Sequence, residues 1–133
     1  MKQKVDMFAQ ALLGLVFFVF GLNGFIEFLP PPELTDDRAL ALMGGFAESG
    51  YFFPVLKAVE TTAGLVLLVR YFSPLALLLL APVVVQILLF HLVLEPAGLP
   101  VALVVGALEA YLGFFVYKDS FSSVLVAKPL HSR

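Results

Sequence analysis

The stretch FPVLKAVETTAGLVLLVR, residues 53–70, decides the fold. It is long enough to cross the ~30 Å hydrocarbon core of a bilayer at ~1.5 Å rise per residue. Lys57 and Glu60 stand inside this apolar run. An ionisable side chain at that depth is energetically costly and indicates a functional site. By helical spacing, the two charges share one face with Thr61 and Gly64, and that face must look toward protein or water.

The composition of the whole chain is typical of an integral membrane protein. Of its 133 residues, 61% are hydrophobic and 14% are charged, whereas a soluble domain is about a quarter charged. The chain has no cysteine, which excludes a disulfide, a redox-active thiol pair and a cysteine-bound iron–sulfur cluster of its own. At this length we expect a single transmembrane domain over residues 1–133.

Three further apolar segments accompany the first. The predicted spans are residues 8–29, 53–70, 75–94 and 99–117. The first run is too long for a secretory signal and lacks a small-residue cleavage pattern, so we expect an uncleaved span. The polar stretch before the second span predicts a short amphipathic helix at the membrane surface over residues 36–48, with Thr35 as its N-cap. The predicted fold class is therefore all-α, an antiparallel four-helix transmembrane bundle with this helix in the first outer loop.

The distribution of charge predicts the orientation of the chain. Four spans put both termini on one side, and the opposite side is called the outer side below. Six of the eight cations fall on the terminus side, namely Lys2, Lys4, Arg70, Lys118, Lys128 and Arg133. Because cytoplasmic loops of membrane proteins are enriched in lysine and arginine, we expect cytoplasmic termini.

Each predicted span carries at least one polar side chain in its outer half, while the inner half has almost nothing comparable. Glu60 and Gln86 lie about 12 Å below the outer ends of their spans, and Glu109 lies about 15 Å deep, near the midplane. This shared depth predicts a polar cavity in the outer half. Its candidate ligand-binding or proton-relay residues are Asn23, Glu27, Lys57, Glu60, Thr61, Gln86, His91 and Glu109.

A structural interpretation stands beside the functional one for each candidate. Glu27 and His91 lie near the predicted interface, where a side chain can simply face headgroups. The uncharged candidates suit interhelical hydrogen bonds. Lys57 and Glu60 can form an i,i+3 ion pair, although such a pair gains little net stability after desolvation. Two carboxyl groups and an amine are a costly way to fix helix register, which favours a functional cavity.

Several other chemistries are disfavoured. His91 is the only histidine within a predicted span, so one chain cannot supply a bis-His haem site. The chain has no Glu-x-x-His pair, which is the motif that would indicate a di-metal carboxylate site. The chain also lacks a phosphate-binding glycine loop, a nucleophile elbow and a basic nucleic-acid patch. We therefore predict no metal site, no nucleic-acid partner and no complete catalytic constellation.

Two runs resemble the DoxX family of membrane proteins. GLVFFVFGLNGF, residues 14–25, is similar to the opening helix of that family, and VETTAGLVLLVRYFSPLA, residues 59–76, matches its second helix and the following turn. The resemblance implies a four-helix fold, a plasma (inner) membrane of bacterial or archaeal type, and relatives in quinone-linked redox systems. Glu60 corresponds to the acidic position of the second helix. Many members carry a lysine close to where this chain has Gly24, whereas its own intramembrane lysine is Lys57.

Three functional hypotheses follow. The leading one, for which the resemblance supplies the redox role, is a membrane component of a redox system that holds a quinone or a similar small molecule in the outer-half cavity. In that role the chain is at most a subunit of an oxidoreductase. The first alternative is a small-solute or proton transporter, against which the apolar inner half argues. The second is a non-catalytic assembly or structural partner. The candidate partners are the lipid bilayer, a redox subunit and a second copy of the chain.

Overall fold

The structure, a computed structural model, describes residues 1–127, in which every regular element is helical. The helices are α1 (Lys2–Asn23), α2 (Asp37–Ser49), α3 (Phe52–Val69), α4 (Ser73–Val93), α5 (Leu99–Tyr111) and α6 (Lys118–Ser122). A 3-10 turn, Pro96–Gly98, leads into α5, and a π-helical turn, Leu112–Val116, follows it. Lys128 and Arg133, two of the cations predicted on the terminus side, lie outside the described residues.

Four segments are long and apolar enough to cross a membrane. They are Lys2–Asn23, Phe52–Val69, Ser73–Val93 and Pro96–Val116. Within the described chain, α3 packs on α1 and α4, α4 packs on α5, and α5 packs on α1, so the spans close into a bundle. The predicted fold class, an all-α four-helix membrane bundle, is confirmed.

Leucine side chains fill the interior of the bundle. The largest fully buried side chains come from all four spans and are Leu13, Leu67, Leu77, Leu80 and Leu112. Other large apolar residues point outward, and Leu15, Leu78 and Leu103 are about half exposed. A helix that is apolar on both its inner and outer faces belongs in lipid, because in water the outer face would have to be polar. The lipid bilayer is therefore the environment of the bundle.

The first helix differs from its predicted bounds at both ends, since α1 is Lys2–Asn23 rather than 8–29. At the outer end, Asn23 Oδ1 accepts hydrogen bonds from the backbone N–H of Phe28 at 2.9 Å and of Leu29 at 2.8 Å. A side-chain oxygen that accepts hydrogen bonds from backbone N–H groups competes with the helical carbonyl acceptors for those donors. The chain therefore turns before it reaches Pro30. The apolar run continues to residue 29, but its last residues form a turn.

Glycines bring the backbones of α1 and α3 into direct contact. A methyl group at Gly21 would lie 2.5 Å from the backbone nitrogen of Thr61, and one at Gly14 would lie 3.0 Å from the carbonyl oxygen of Gly64. A methyl group at Gly64 would in turn overlap the backbone of Phe18. Small residues allow this close approach between membrane helices, where dispersion contacts replace the hydrophobic effect as the main attraction. This interface turns the face of α3 that carries Lys57 and Glu60 toward α1.

Helix α2 forms within one residue of the predicted 36–48, but its N-cap is Asp36, whose side chain accepts from the backbone N–H of Arg38 at 2.7 Å. Thr35, the predicted cap, contacts Glu95 instead. The Glu95 carboxylate accepts from the backbone N–H of Thr35 at 2.6 Å, from that of Asp36 at 2.8 Å and from the Thr35 hydroxyl at 3.1 Å. Glu95 is only 5% exposed, so it anchors the first outer loop to the corner between α4 and α5.

Candidate functional site

A buried ion pair lies in the outer half of α3. Lys57 Nζ is 3.0 Å from Glu60 Oε2, and the side chain of Glu60 is 6% exposed, whereas that of Lys57 is 25% exposed. The i,i+3 spacing predicted that these two side chains can meet, and this is confirmed. Since α3 begins at Phe52 on the outer side, Glu60 lies about 12 Å below that end by helical rise.

The helix pair α1–α3 holds this ion pair in place. A methyl group at Gly24 would overlap the aliphatic part of the Lys57 side chain. The lysine side chain therefore lies against the end of α1. The Thr61 hydroxyl donates to the carbonyl oxygen of Lys57 at 2.7 Å, which satisfies the hydroxyl within its own helix. Thr61 therefore supports the helical turn beneath the ammonium group.

The unequal burial of the two charges decides what the site can do chemically. Glu60 is enclosed, while a quarter of the Lys57 side chain stays exposed, so Lys57 is the partner that a bound molecule can contact. An ammonium has three N–H donors, and the structure assigns one of them to Glu60. The remaining donors can bind a carbonyl or an anionic oxygen, with the carboxylate behind them as a proton acceptor.

Two candidates at the outer end of α1 do not join the ion pair. Asn23 uses its side-chain oxygen to hold the turn after α1, which is the structural interpretation of this residue. Glu27 lies in that turn, beyond the helix, and is exposed. Asn23 and Glu27 therefore do not share a helix face, because α1 ends at Asn23.

Two candidates on α4 also lie apart. Gln86 is exposed on the surface of that helix, although its depth matches that of Glu60. His91 Nδ1 lies 3.1 Å from the carbonyl oxygen of Glu95 and its ring packs closely against Gly98, so His91, in the last turn of α4, contacts the turn that follows. Depth along a helix was predictable from the sequence, but the rotation of α4 about its axis was not.

Glu109 on α5 is half-buried, and its Oε1 is buried with no hydrogen-bond partner among residues 1–127. The fourth span begins at Pro96, so Glu109 lies about 20 Å from the outer end by helical rise rather than about 15 Å. Within the described chain, no hydrogen bond or ion pair links it to Lys57 or Glu60. Glu109 is thus a second polar position, closer to the terminus side than its predicted depth.

The structure contains a polar network that the sequence interpretation missed, at the terminus-side ends of the spans. Gln10 is 2% exposed, and its Nε2 donates to the carbonyl oxygen of Leu67 at 2.9 Å and to Ser73 Oγ at 2.8 Å. Its Oε1 accepts from the hydroxyl of Tyr117. One side chain on α1 thereby contacts α3, α4 and the end of the fourth span.

A second contact in the same half joins α1 to α5. The Tyr111 hydroxyl donates to Asp6 Oδ1, one helical turn before Gln10. The prediction that the inner half has almost nothing comparable to the polar side chains of the outer half is therefore wrong. The signal in the sequence was the i,i+4 spacing of Asp6 and Gln10 at the start of the first apolar run, which places both on one face. It also explains why α1 begins at Lys2, since these polar residues belong to the helix.

Two carboxyl groups in the outer loops, those of Asp36 and Glu95, have lowered pKa values. The side-chain hydrogen bond from Arg38, whose Nη2 is 2.9 Å from Asp36 Oδ2, lowers the pKa of Asp36 to about 2. The backbone N–H groups of Asp36 and Thr35 hold the pKa of Glu95 below its usual range, because hydrogen bonds to a carboxylate favour its charged form. Both carboxylates are thus charged at neutral pH and stabilise the start of α2.

Comparison of the chain with known proteins found no matching family model, no similar curated protein and no similar solved structure. The resemblance of residues 14–25 and 59–76 to the DoxX family therefore stays a prediction.

Proposed function

We propose that this four-helix membrane protein is a DoxX-like component of a membrane redox system and holds a quinone, or a similar small molecule, beside Lys57 and Glu60. The observation that carries the proposal is the burial of this ion pair in an apolar span. A buried pair gains little net stability once its desolvation is counted, so helix packing alone gives little reason to keep it. The resemblance to DoxX proteins supplies the redox role and the inner membrane, and the distribution of lysine and arginine supplies the cytoplasmic termini.

The residues present fit a ligand that carries carbonyl oxygens. Lys57 retains N–H donors beyond the one assigned to Glu60, and a quarter of its side chain stays open. A bound quinone would supply carbonyl acceptors and the capacity to take up electrons and protons. In this site Lys57 orients a carbonyl oxygen, and Glu60 accepts or returns a proton at its carboxylate. Because the chain has no cysteine, the electrons come from a partner subunit or another bound group.

The test is a titration of the full chain in detergent with decylubiquinone, followed by equilibrium binding. The wild type and Glu48→Gln, which changes an exposed acid on α2, should bind in a saturable way. Glu60→Gln should bind at least about tenfold more weakly, as expected for the loss of one charged hydrogen-bonding group. Circular dichroism and gel filtration check that each variant is folded.

Two results would overturn this proposal. One is a folded wild type that binds no decylubiquinone. The other is a folded Glu60→Gln variant with unchanged affinity. If Glu60→Gln unfolds, Lys57→Arg replaces it, because arginine keeps the charge opposite Glu60 but presents its donors in a planar fork. Unchanged affinity in that variant would equally contradict the proposal.

A second candidate function, transport of protons or a small polar solute, is favoured by the terminus-side network. The apolar inner half that argued against transport instead holds Gln10 and the contact between Asp6 and Tyr111. By depth along the spans, Glu109 lies between those groups and Glu60, and its Oε1 has no hydrogen-bond partner among residues 1–127. Proton flux into proteoliposomes that is lost in Glu109→Gln and kept in Glu48→Gln would support transport. No flux from the wild type would exclude proton transport.

A further inference from the structure

An apolar groove of about 370 Å³ lies between α3 and α4, away from the ion pair. Its walls are formed mainly by small and aliphatic side chains, with Phe72 at one end and the Thr62 hydroxyl as the polar exception. The residues that define it are Ala58, Thr62 and Val66 on α3, Phe72 just before α4, and Ala76 and Leu79 on α4. Three of the lining residues are alanines, at positions 58, 63 and 76, and their small side chains leave the recess between the two helices.

The groove has the length of one bilayer leaflet. Ala58 lies eleven residues from Val69, the terminus-side end of α3, which is about 16 Å by helical rise. Half of the hydrocarbon core is about 15 Å thick. The groove therefore runs from the terminus-side interface to about the midplane, which is the reach of a single acyl chain of a phospholipid.

The turn at the end of the groove carries a cation and two exposed rings. Arg70 and Phe72 have positive φ angles of 66° and 55°, a conformation that residues other than glycine rarely adopt. Such backbone strain persists where surrounding structure or a ligand contact maintains it. Tyr71 and Phe72 are 73% and 74% exposed, as aromatic residues at a membrane interface commonly are. Among residues 1–127, Arg70 forms no ion pair.

We infer that this groove binds one anionic phospholipid from the leaflet on the terminus side, with an acyl chain between α3 and α4 and its phosphate at Arg70. The length of the groove selects an acyl chain. The Arg70 guanidinium selects an anionic headgroup, because arginine forms paired hydrogen bonds with phosphate oxygens. Two other cations of that side, Lys2 and Lys4, add to the attraction. This site is independent of the proposed quinone site.

The test uses the full chain in nanodiscs that contain equal amounts of dioleoyl phosphatidylglycerol and dioleoyl phosphatidylcholine, with native mass spectrometry of the released protein. The wild type should retain one phosphatidylglycerol, preferred about fivefold over phosphatidylcholine, as expected for one arginine at an anionic surface. Arg70→Gln should lose that preference, whereas Lys118→Gln, a cation at the end of the fourth span, should largely keep it.

A second pair of variants tests the groove itself. Ala58→Leu with Thr62→Leu fills it, and because both positions are exposed, the core is not disturbed. This variant should lose the retained lipid. Ala107→Leu, the same enlargement on the exposed face of α5, should retain it.

Three results would overturn the inference. The first is equal retention of the two lipids by the wild type. The second is full lipid retention by the double variant Ala58→Leu with Thr62→Leu. The third is a wild-type dimer that this double variant no longer forms. The last result would mean that a second copy of the chain occupies the groove.

Discussion

The side-chain amide of Gln10 donates a 2.8 Å hydrogen bond to the hydroxyl of Ser73, which joins the start of α1 to the start of α4. The same amide nitrogen donates to the carbonyl oxygen of Leu67, in the last turn of α3. That carbonyl has lost its helical donor, because the chain leaves the helix at Arg70 with a positive φ. Gln10 thus satisfies a helix end that lipid could not satisfy, and it fixes the register of three spans.

Replacing Gln10 with leucine should destabilise the bundle by about 1–3 kcal/mol, because the carbonyl of Leu67 and the Ser73 hydroxyl would be left buried without this partner. Gln86→Leu makes the same change on the exposed surface of α4 and should stay within about 0.5 kcal/mol of the wild type. Unfolding in mixed micelles of increasing dodecyl sulfate measures both. Equal losses in the two variants would mean that the network contributes nothing specific.

The glycine contact between α1 and α3 gives a second prediction. Gly64→Ala should cost about 1–3 kcal/mol, as overpacking of a well-filled interface does, because its methyl group would meet the backbone of Phe18. Gly44→Ala lies in α2 with nothing within 4 Å of the added methyl group, and should be neutral or stabilising by up to about 1 kcal/mol. The midpoint of thermal unfolding should therefore be lower than that of the wild type for Gly64→Ala, and equal or higher for Gly44→Ala. A stabilised Gly64→Ala would contradict the close packing.

The sequence predicted the number of spans, the surface helix and the ion pair, because these depend on composition, on spacing along one helix and on local capping. It did not predict that α1 ends at Asn23, since a single side-chain oxygen outweighs the apolar run that follows it. It also placed Gln86 beside Glu60 by depth alone. Rotation about a helix axis is set by packing, and with an almost uniformly apolar α4 the sequence carries little information about that rotation.

The anchoring of α2 should depend on pH. The pKa of Glu95 is lowered in the folded chain, so its contribution to stability is present above the pKa of an unfolded glutamate, about 4.3, and is lost as the pH falls through the lower folded value. The pKa of Asp36 is also lowered, to about 2, so its contribution is lost as the pH falls toward that value. Hydrogen exchange at the start of α2 should accelerate several-fold on acidification from pH 5 to pH 3, relative to exchange in α3.

The variant Glu95→Gln separates this anchor from general acid effects. Glutamine keeps one acceptor oxygen but no charge, so exchange at Thr35 and Asp36 should already be fast at pH 7. Glu48→Gln, on the exposed side of α2, should leave their exchange unchanged. If Glu95→Gln protects these amides as well as the wild type does, the carboxylate is not the anchor.

The ion pair in α3 allows a prediction that separates structure from function. Lys57→Met leaves the enclosed Glu60 carboxylate without its 3.0 Å partner and should destabilise the bundle by about 2–4 kcal/mol, somewhat less than for a fully buried pair because Lys57 is 25% exposed. The double variant Lys57→Met with Glu60→Leu removes both charges and should regain most of that loss, because well-packed apolar side chains replace a buried pair at little cost. A double-mutant cycle on dodecyl sulfate unfolding measures the coupling. A stable double variant that no longer binds decylubiquinone would show that the pair is kept for its ligand, whereas a double variant as unstable as Lys57→Met would make the pair structural.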